Sequence, residues 1–300
     1  MLTPWLKSHL SGSLSGSLFG IIFGITLVTG ACGPSSEAEV ATAESGKELT
    51  TSRCQVYPSD VVCTKHELSL SALLIRRKVT YEVPIGTPPA DGWPVVLYFQ
   101  GSFFPGSRAF AAGLGDVAGQ YNLTLTVKAL LDAGYAVLAP DALLEGASFW
   151  QTNVPPWSLL WTTSSDHAFL LSIFQALEEG KFGALDPRRL YAMGISSGGF
   201  MTSRMAVSYR GRFRALAVHS ASYATCSALC VVPGLPADHP PTLFLHGNLD
   251  PIVTRPVMEQ YRSALLRDGR AVKAVINPTA GHEWLPEGPQ AITDWFTAHP

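Results

Sequence analysis

The chain has 300 residues, 47% of them hydrophobic and only 15% charged, with a formal net charge of −2 at pH 7. That length is enough for a well-buried core, and the low, nearly balanced charge without a basic run argues against nucleic acid as a partner.

The first thirty residues do not read as part of a fold. Lys7 is the only positive charge near the start, and the apolar stretch 18–28 is too short for a comfortable membrane span. It suits the central region of a signal peptide. Small residues, Thr29-Gly30-Ala31, then lead into Cys32. This resembles a bacterial lipobox, whose cysteine is lipidated and attached to a membrane, although Thr29 stands where a leucine is usual. An ordinary secretory signal cut near Ala31 is the other reading, and in both the protein is exported, as a cell-envelope lipoprotein or a secreted extracellular protein. Residues 1–31 are therefore assigned to a signal peptide, 32–52 to a flexible linker rich in Ser, Ala, Glu and Thr, and 53–300 to a single folded domain.

Besides Cys32 there are four cysteines, Cys54, Cys63, Cys226 and Cys230. An even count in an exported chain points to disulfides, and Cys54–Cys63 with Cys226–Cys230 is the simplest of three connectivities. No C-x-x-C or H-x-x-H partner accompanies them, so no metal site is expected.

The domain opens with a β-rich run at 73–83 interrupted by Arg76, Arg77 and Lys78, followed by turn material. Residues 94–99 form a continuous apolar run, as in a strand buried on both faces. A helix is predicted over 124–133, ending at Gly134, and a buried strand over 135–139, stopped by Pro140-Asp141. A long connection, 143–163, carries Pro155-Pro156 between tryptophans; loops of such length are often lids or binding loops. A helix over 165–179 follows, with Ser165 or Asp166 as its N-cap. Further strands are predicted at 190–193, 215–219, 242–246 and 272–276, and further helices from 199 onward, at 257–267 and at 289–298. Strands alternating with helices imply an α/β fold with a mostly parallel sheet covered on both faces, its chemistry at the C-terminal strand ends.

The strand at 190–193 runs into Gly194-Ile195-Ser196-Ser197-Gly198, a G-x-S-x-G pattern between strand and helix. Such a turn must be so tight that only glycine fits on either side of the serine, and it holds the hydroxyl clear of the backbone. A serine hydroxyl needs an adjacent base, itself oriented by an acid. Asp250 follows the strand 242–246, and His282 follows the strand 272–276, in the order Ser, Asp, His. Asp250 could instead cap the next helix. Asp141 precedes the serine and Asp238 precedes the strand ending at His246, so neither suits the acid as well. Among the histidines, His246 is expected to brace the acid loop, His219 to line the pocket and His167 to be structural. Two aimed N–H groups would hold the oxyanion, from Ser197 and from Ser102 in the loop after 94–99, where Gly101 permits close approach. Phe103, Phe104, Phe149, Trp150, Trp157 and Trp161 suggest an apolar groove over the site, with Trp161 equally readable as core.

With these residues in view the chain is similar to α/β-hydrolases. More narrowly, it resembles the extracellular depolymerases of medium-chain-length polyhydroxyalkanoates. The resemblance rests on Gly194-Ile195-Ser196-Ser197-Gly198 as lipase box, on Asp250 and His282 behind it, and on the single-domain length. Gln100 occupies the place where many relatives have histidine. The resemblance implies hydrolysis of a hydrophobic polyester through an acyl-enzyme on Ser196, with no metal or organic cofactor. A carboxylesterase of small or plant-derived esters with the same triad is the second enzyme reading. Short-chain polyhydroxybutyrate depolymerase is a further variant, and a lipid-anchored binding protein on a hydrolase scaffold is the non-enzyme alternative.

Overall fold

Strands without polar alternation must bury both faces, and the chain meets that demand with one large sheet between two layers of helices. The computed structural model describes residues 51–226 and 230–300. The predicted signal peptide, Cys32 and all but the last two residues of the predicted linker lie outside the described residues.

The large sheet has eight strands: β1 His66–Ala72, β2 Ile75–Glu82, β3 Trp93–Phe99, β4 Ala136–Pro140, β5 Leu185–Ile195, β6 Phe213–His219, β7 Thr242–Gly247 and β8 Val272–Asn277. Their spatial order is β1-β2-β4-β3-β5-β6-β7-β8. The pairs β1–β2 and β2–β4 are antiparallel, and all others are parallel. Among the described residues five α-helices flank the sheet: α1 Gln120–Asp132, α2 Ser165–Glu178, α3 Ser197–Ser208, α4 Arg255–Arg267 and α5 Gly288–Thr297.

Alternation along β3 shows how both faces are used. Val96 and Tyr98 pack with Leu123, Val127 and Phe296 of α1 and α5, while Val95, Leu97 and Phe99 pack with Phe169 of α2 and Met201 of α3. A third cluster joins Phe200 of α3, Phe244 of β7 and Met258 and Tyr261 of α4. A small second sheet pairs Cys54–Val56, Asp60–Cys63 and Ala111–Gly113. The disulfide Cys54–Cys63 staples its first two strands, and Cys226–Cys230 closes the other short loop, which is the simplest of the three connectivities.

Two local expectations change. The strand in the run 73–83 starts only at Ile75, because the chain reverses from β1 at Leu73 and Leu74, both at positive φ (48° and 63°). That is the geometry of a tight hairpin turn, and without Asn or Gly it leaves no compositional mark. The N-cap of α2 is Ser164, whose hydroxyl accepts from the His167 N–H at 3.0 Å, and not Ser165 or Asp166. Asp166 is instead buried against Arg77 (2.7 Å), while Arg77 also donates to the Asp141 carbonyl and lies over the Phe169 ring. Burial pushes the Asp166 carboxyl up and the Arg77 guanidinium down, each opposed by the partner's charge. This explains an arginine in an otherwise β-rich run: it ties β2 to α2 and to the end of β4.

Candidate active site

Because β3, β5, β7 and β8 run parallel, the segments that follow them emerge at one edge of the sheet. Those segments carry Gly101-Ser102, Ser196, Asp250 and His282 respectively. The elbow after β5 is strained: Ser196 sits at φ 56°, ψ −124°, a conformation that an ordinary residue adopts only when its surroundings impose it. They do so here. The Ser196 N–H donates to the His219 carbonyl (3.0 Å), and its own carbonyl accepts from Phe200 as α3 begins. Gly198 is required by close approach, since a Cβ there would overlap the carbonyl oxygens of Phe99 and Gln100. Ser197 is the first residue of α3, so its N–H lies outside the helical ladder and is free for a ligand.

Asp250 is held from three directions. One oxygen accepts from the N–H groups of Ile252 and Val253, both at 2.9 Å, and the other lies 2.7 Å from His282 Nδ1. Burial pushes this carboxyl up, but the His282 hydrogen bond and charge with the two N–H donors outweigh it and leave its pKa below the ordinary value. It does not cap the next helix, whose N-cap is Thr254. His246 Nε2 donates to the Val253 carbonyl (2.8 Å) and approaches Asp250 at 3.6 Å, so it braces the acid loop. The two loops also hold each other: Asn248 N–H donates to the Asn277 carbonyl and Leu249 N–H to that of Ala280. The other acids lie elsewhere. Asp141 accepts from the Gly106 N–H, and Asp238 pairs with Arg210 on the surface.

Ser196 and His282 line one apolar cavity of about 330 Å³, with Ser102, Phe103, Phe104 and Ile252 in its wall. Among the described residues no hydrogen bond joins Ser196 to the His282 ring; contacts of this kind tighten when substrate fills the site. The Ser102 N–H has no acceptor among the described residues. Its loop is held from beneath by the buried Gln100 side chain, which donates to the Gly146 carbonyl (2.6 Å) and accepts from the Ala142 N–H (3.0 Å). A second cleft, about 300 Å³, also reaches Ser196 and is lined by Ser197, Phe149, Val154 and Phe200.

Phe103 and Phe104 thus stand where the sequence suggests, whereas three other expected wall residues do not. Trp150 is fully buried; its Nε1 donates to the Gln100 carbonyl and its ring packs on Phe99, so it is core beneath the site. Trp157 is half-buried and lines neither cleft. His219 is fully buried, stacked on Trp284 at 4.7 Å, and its Nε2 accepts from the Leu285 N–H. Burial, followed by the nearby His246 and His282, holds its pKa well below the ordinary value, so it is a neutral support for the histidine loop. Trp161 is likewise buried. His167 meets the Tyr209 hydroxyl at 2.8 Å, a structural contact.

Over 261 residues the chain is 48% identical to a poly(3-hydroxyoctanoate) depolymerase of Pseudomonas fluorescens, which covers 84% of this chain and 93% of that protein. The chain belongs to that depolymerase family. As a member of it, the protein is a carboxylic ester hydrolase. Its fold is also that of solved α/β-hydrolases. A fluorophosphonate-binding serine hydrolase F of Staphylococcus aureus superposes with a TM-score of 0.55 at 13% identity, covering 79% of this chain and 98% of that one. A cold-adapted esterase from an Arctic intertidal metagenomic library gives 0.54 at 15% identity, over 82% and 97%. No protein-family model matches the chain.

Sequence reasoning misses several wall residues of this depolymerase-family site, among them Ile252, Val154, Phe200 and Gln120. Ile252 had a visible signal, an apolar residue two places after the candidate acid. Gln120 had none, because it comes to the site only through the packing of α1.

Proposed function

We propose that this protein hydrolyses the ester bonds of a hydrophobic polyester of the poly(3-hydroxyoctanoate) type, with Ser196 as nucleophile, His282 as general base and Asp250 as its orienting acid. The carrying observation is that an elbow serine and an aspartate-supported histidine share one apolar cavity. The relative's substrate supports the choice of polymer.

In this reading Ser196 Oγ gives its proton to His282 and bonds to the ester carbonyl carbon. The negative charge that develops on the carbonyl oxygen is held by the N–H groups of Ser102 and Ser197, fixed in advance by the Gln100 bonds and the start of α3. Asp250, ionised at neutral pH, keeps the imidazole oriented and stabilises its positive charge. His282 then protonates the departing alkoxide as the carbonyl–oxygen bond breaks. Water, deprotonated by the same ring, attacks the acyl-enzyme and frees Ser196.

Clearing of a poly(3-hydroxyoctanoate) emulsion, compared with poly(3-hydroxybutyrate) and short nitrophenyl esters, tests the substrate. The wild type clears the first. Cleavage of the short esters without any clearing would place the protein with small-ester carboxylesterases instead. Ser196→Ala lowers kcat by about 10⁴-fold or more with the fold intact, and full activity in that variant would sink the mechanism.

Export is proposed on the leader alone, with Cys32 as the acceptor of lipid. Labelled palmitate in cells should enter the wild type and not Cys32→Ser. Equal labelling of both would remove the lipoprotein reading, and retention of the wild type in the cytoplasm would remove export.

A further inference from the structure

Two clefts of nearly equal size, about 330 and 300 Å³, open on Ser196 and share Ser102 and Ile252 as common wall. They differ in what else they touch. The first carries His282, Phe104 and Gln120, and the second carries Ser197, Val154 and Phe200. The chemistry of acyl transfer makes this difference matter.

In the tetrahedral intermediate the former carbonyl carbon bears four groups: Ser196 Oγ, the oxyanion, the carbon arm of the acyl half, and the alkoxy oxygen of the alcohol half. The oxyanion is taken by the N–H groups of Ser102 and Ser197. The alkoxy oxygen must receive its proton from His282 as its bond to carbon breaks, because an alkoxide is a poor leaving group. The alcohol half therefore has to lie on the side of the histidine. We infer that the cleft lined by His282 and Phe104 receives the alcohol half of the scissile ester, and that the cleft lined by Val154 and Phe200 receives the acyl half. The inference rests on the triad reading above.

The polymer's own chemistry fits this division. Each 3-hydroxyoctanoate unit carries a pentyl branch on the carbon bearing the ester oxygen. One branch consequently lies on each side of any scissile bond, and each cleft offers it an apolar seat. Side-chain length is then read twice, once on each side of Ser196. A methyl branch, as in poly(3-hydroxybutyrate), would leave both seats largely unfilled. After the alcohol product departs, the first cleft is the one that empties, so water reaches the acyl carbon from the side of His282, as deacylation requires.

Two ester series separate the clefts. One keeps a constant nitrophenyl alcohol and lengthens the acyl chain from acetyl to octanoyl; the other keeps a constant acetyl group and lengthens the alcohol from ethyl to octyl. Val154→Trp, which narrows the second cleft, is expected to lower the octanoyl-to-acetyl ratio of kcat/KM by roughly tenfold or more while leaving the alcohol-length ratio within a factor of about two. Phe104→Trp should do the converse. Val154→Ala and Phe104→Ala repeat the comparison without added bulk, and should raise the corresponding long-chain preference.

A crossed result, in which Val154→Trp changes the alcohol series, overturns the assignment. Equal shifts in both series from both tryptophan variants would mean a single undivided groove, and also overturn it. Labelling with a fluorophosphonate keeps this apart from the triad itself. A wild type that neither labels at Ser196 nor cleaves any ester removes the reading on which the inference stands, whereas labelled, active variants with the wrong length dependence remove only the cleft assignment.

Discussion

At the scale of single residues, the site depends on groups whose geometry is imposed from outside. Ser196 holds a positive φ because the His219 carbonyl and the start of α3 fix it on either side. Asp250 is the most tightly constrained of the proposed triad, with both oxygens engaged and its pKa held down. Replacing it by asparagine preserves shape but turns an acceptor that His282 Nδ1 needs into an amide that can present its own N–H. Asp250→Asn is therefore expected to reduce kcat on a nitrophenyl ester by about 10³- to 10⁴-fold with KM little changed. Steady-state kinetics check this, and a loss smaller than tenfold would mean that the imidazole is oriented by something else.

At the scale of elements, the connection 143–163 is a root of the site more than a lid over it. Trp150 and Trp161 point inward, and Arg204 of α3 anchors the connection by donating to Thr152 Oγ1 (3.0 Å) and to the carbonyls of Thr152 (2.7 Å) and Ser158 (3.1 Å). Burial pushes the Arg204 guanidinium down to about 10, so it remains charged at neutral pH. Removing it leaves two buried carbonyls without a donor. Arg204→Met should cost about 3 kcal/mol of stability, read from the midpoint of urea unfolding at unchanged slope. A midpoint equal to wild type would mean that water or a shifted loop satisfies those carbonyls. The length of this connection suggests a lid or binding loop, and only Phe149, Asn153 and Val154 of it reach the second cleft. Aromatic composition could not tell roof from root, because a tryptophan serves equally well at either place.

At the scale of the molecule, buried neutral histidines make the fold sensitive to acid. His239 is buried between the Pro240 carbonyl and the Tyr261 hydroxyl, and burial pushes its pKa down from 6.5 to about 4. Burial lowers His219 and His246 in the same direction. Above pH 6.5 the ring is neutral in both states and adds no pH dependence. Between 6.5 and about 4 the unfolded chain takes up a proton that the native His239 ring refuses, so stability falls as pH falls, by about 1.4 kcal/mol per pH unit. His239→Gln should flatten the dependence of unfolding free energy on pH by about that amount over the window. Parallel curves for variant and wild type would show that His239 titrates alike in both states.

Much of the architecture was legible because its causes are local. Short apolar runs such as 94–99, bounded by turn residues, read as strands buried on both faces, and their alternation with helices points to a mostly parallel sheet. The order Ser196, Asp250, His282 was legible for the same reason, since each follows a strand of one parallel sheet and so emerges at one edge. The hairpin at Leu73-Leu74 and the cap at Ser164 were not, because backbone conformation there answers to neighbours and not to residue type. The walls of the site belong to tertiary structure alone. Phe103 and Phe104 reach the cavity while Trp150 and His219 are drawn into the core, although all are aromatic residues at or just beyond strand ends or in loops. Which side of such a ring meets solvent depends on Gln100, Phe99, Trp284 and Leu285, residues far apart in the chain that pack together only in the finished fold. The sequence by itself therefore determined the scaffold and the placement of Ser196, Asp250 and His282 at one sheet edge, which depend on local pattern and strand order. The shape of the site, two clefts meeting at Ser196, was decided only by packing between distant segments.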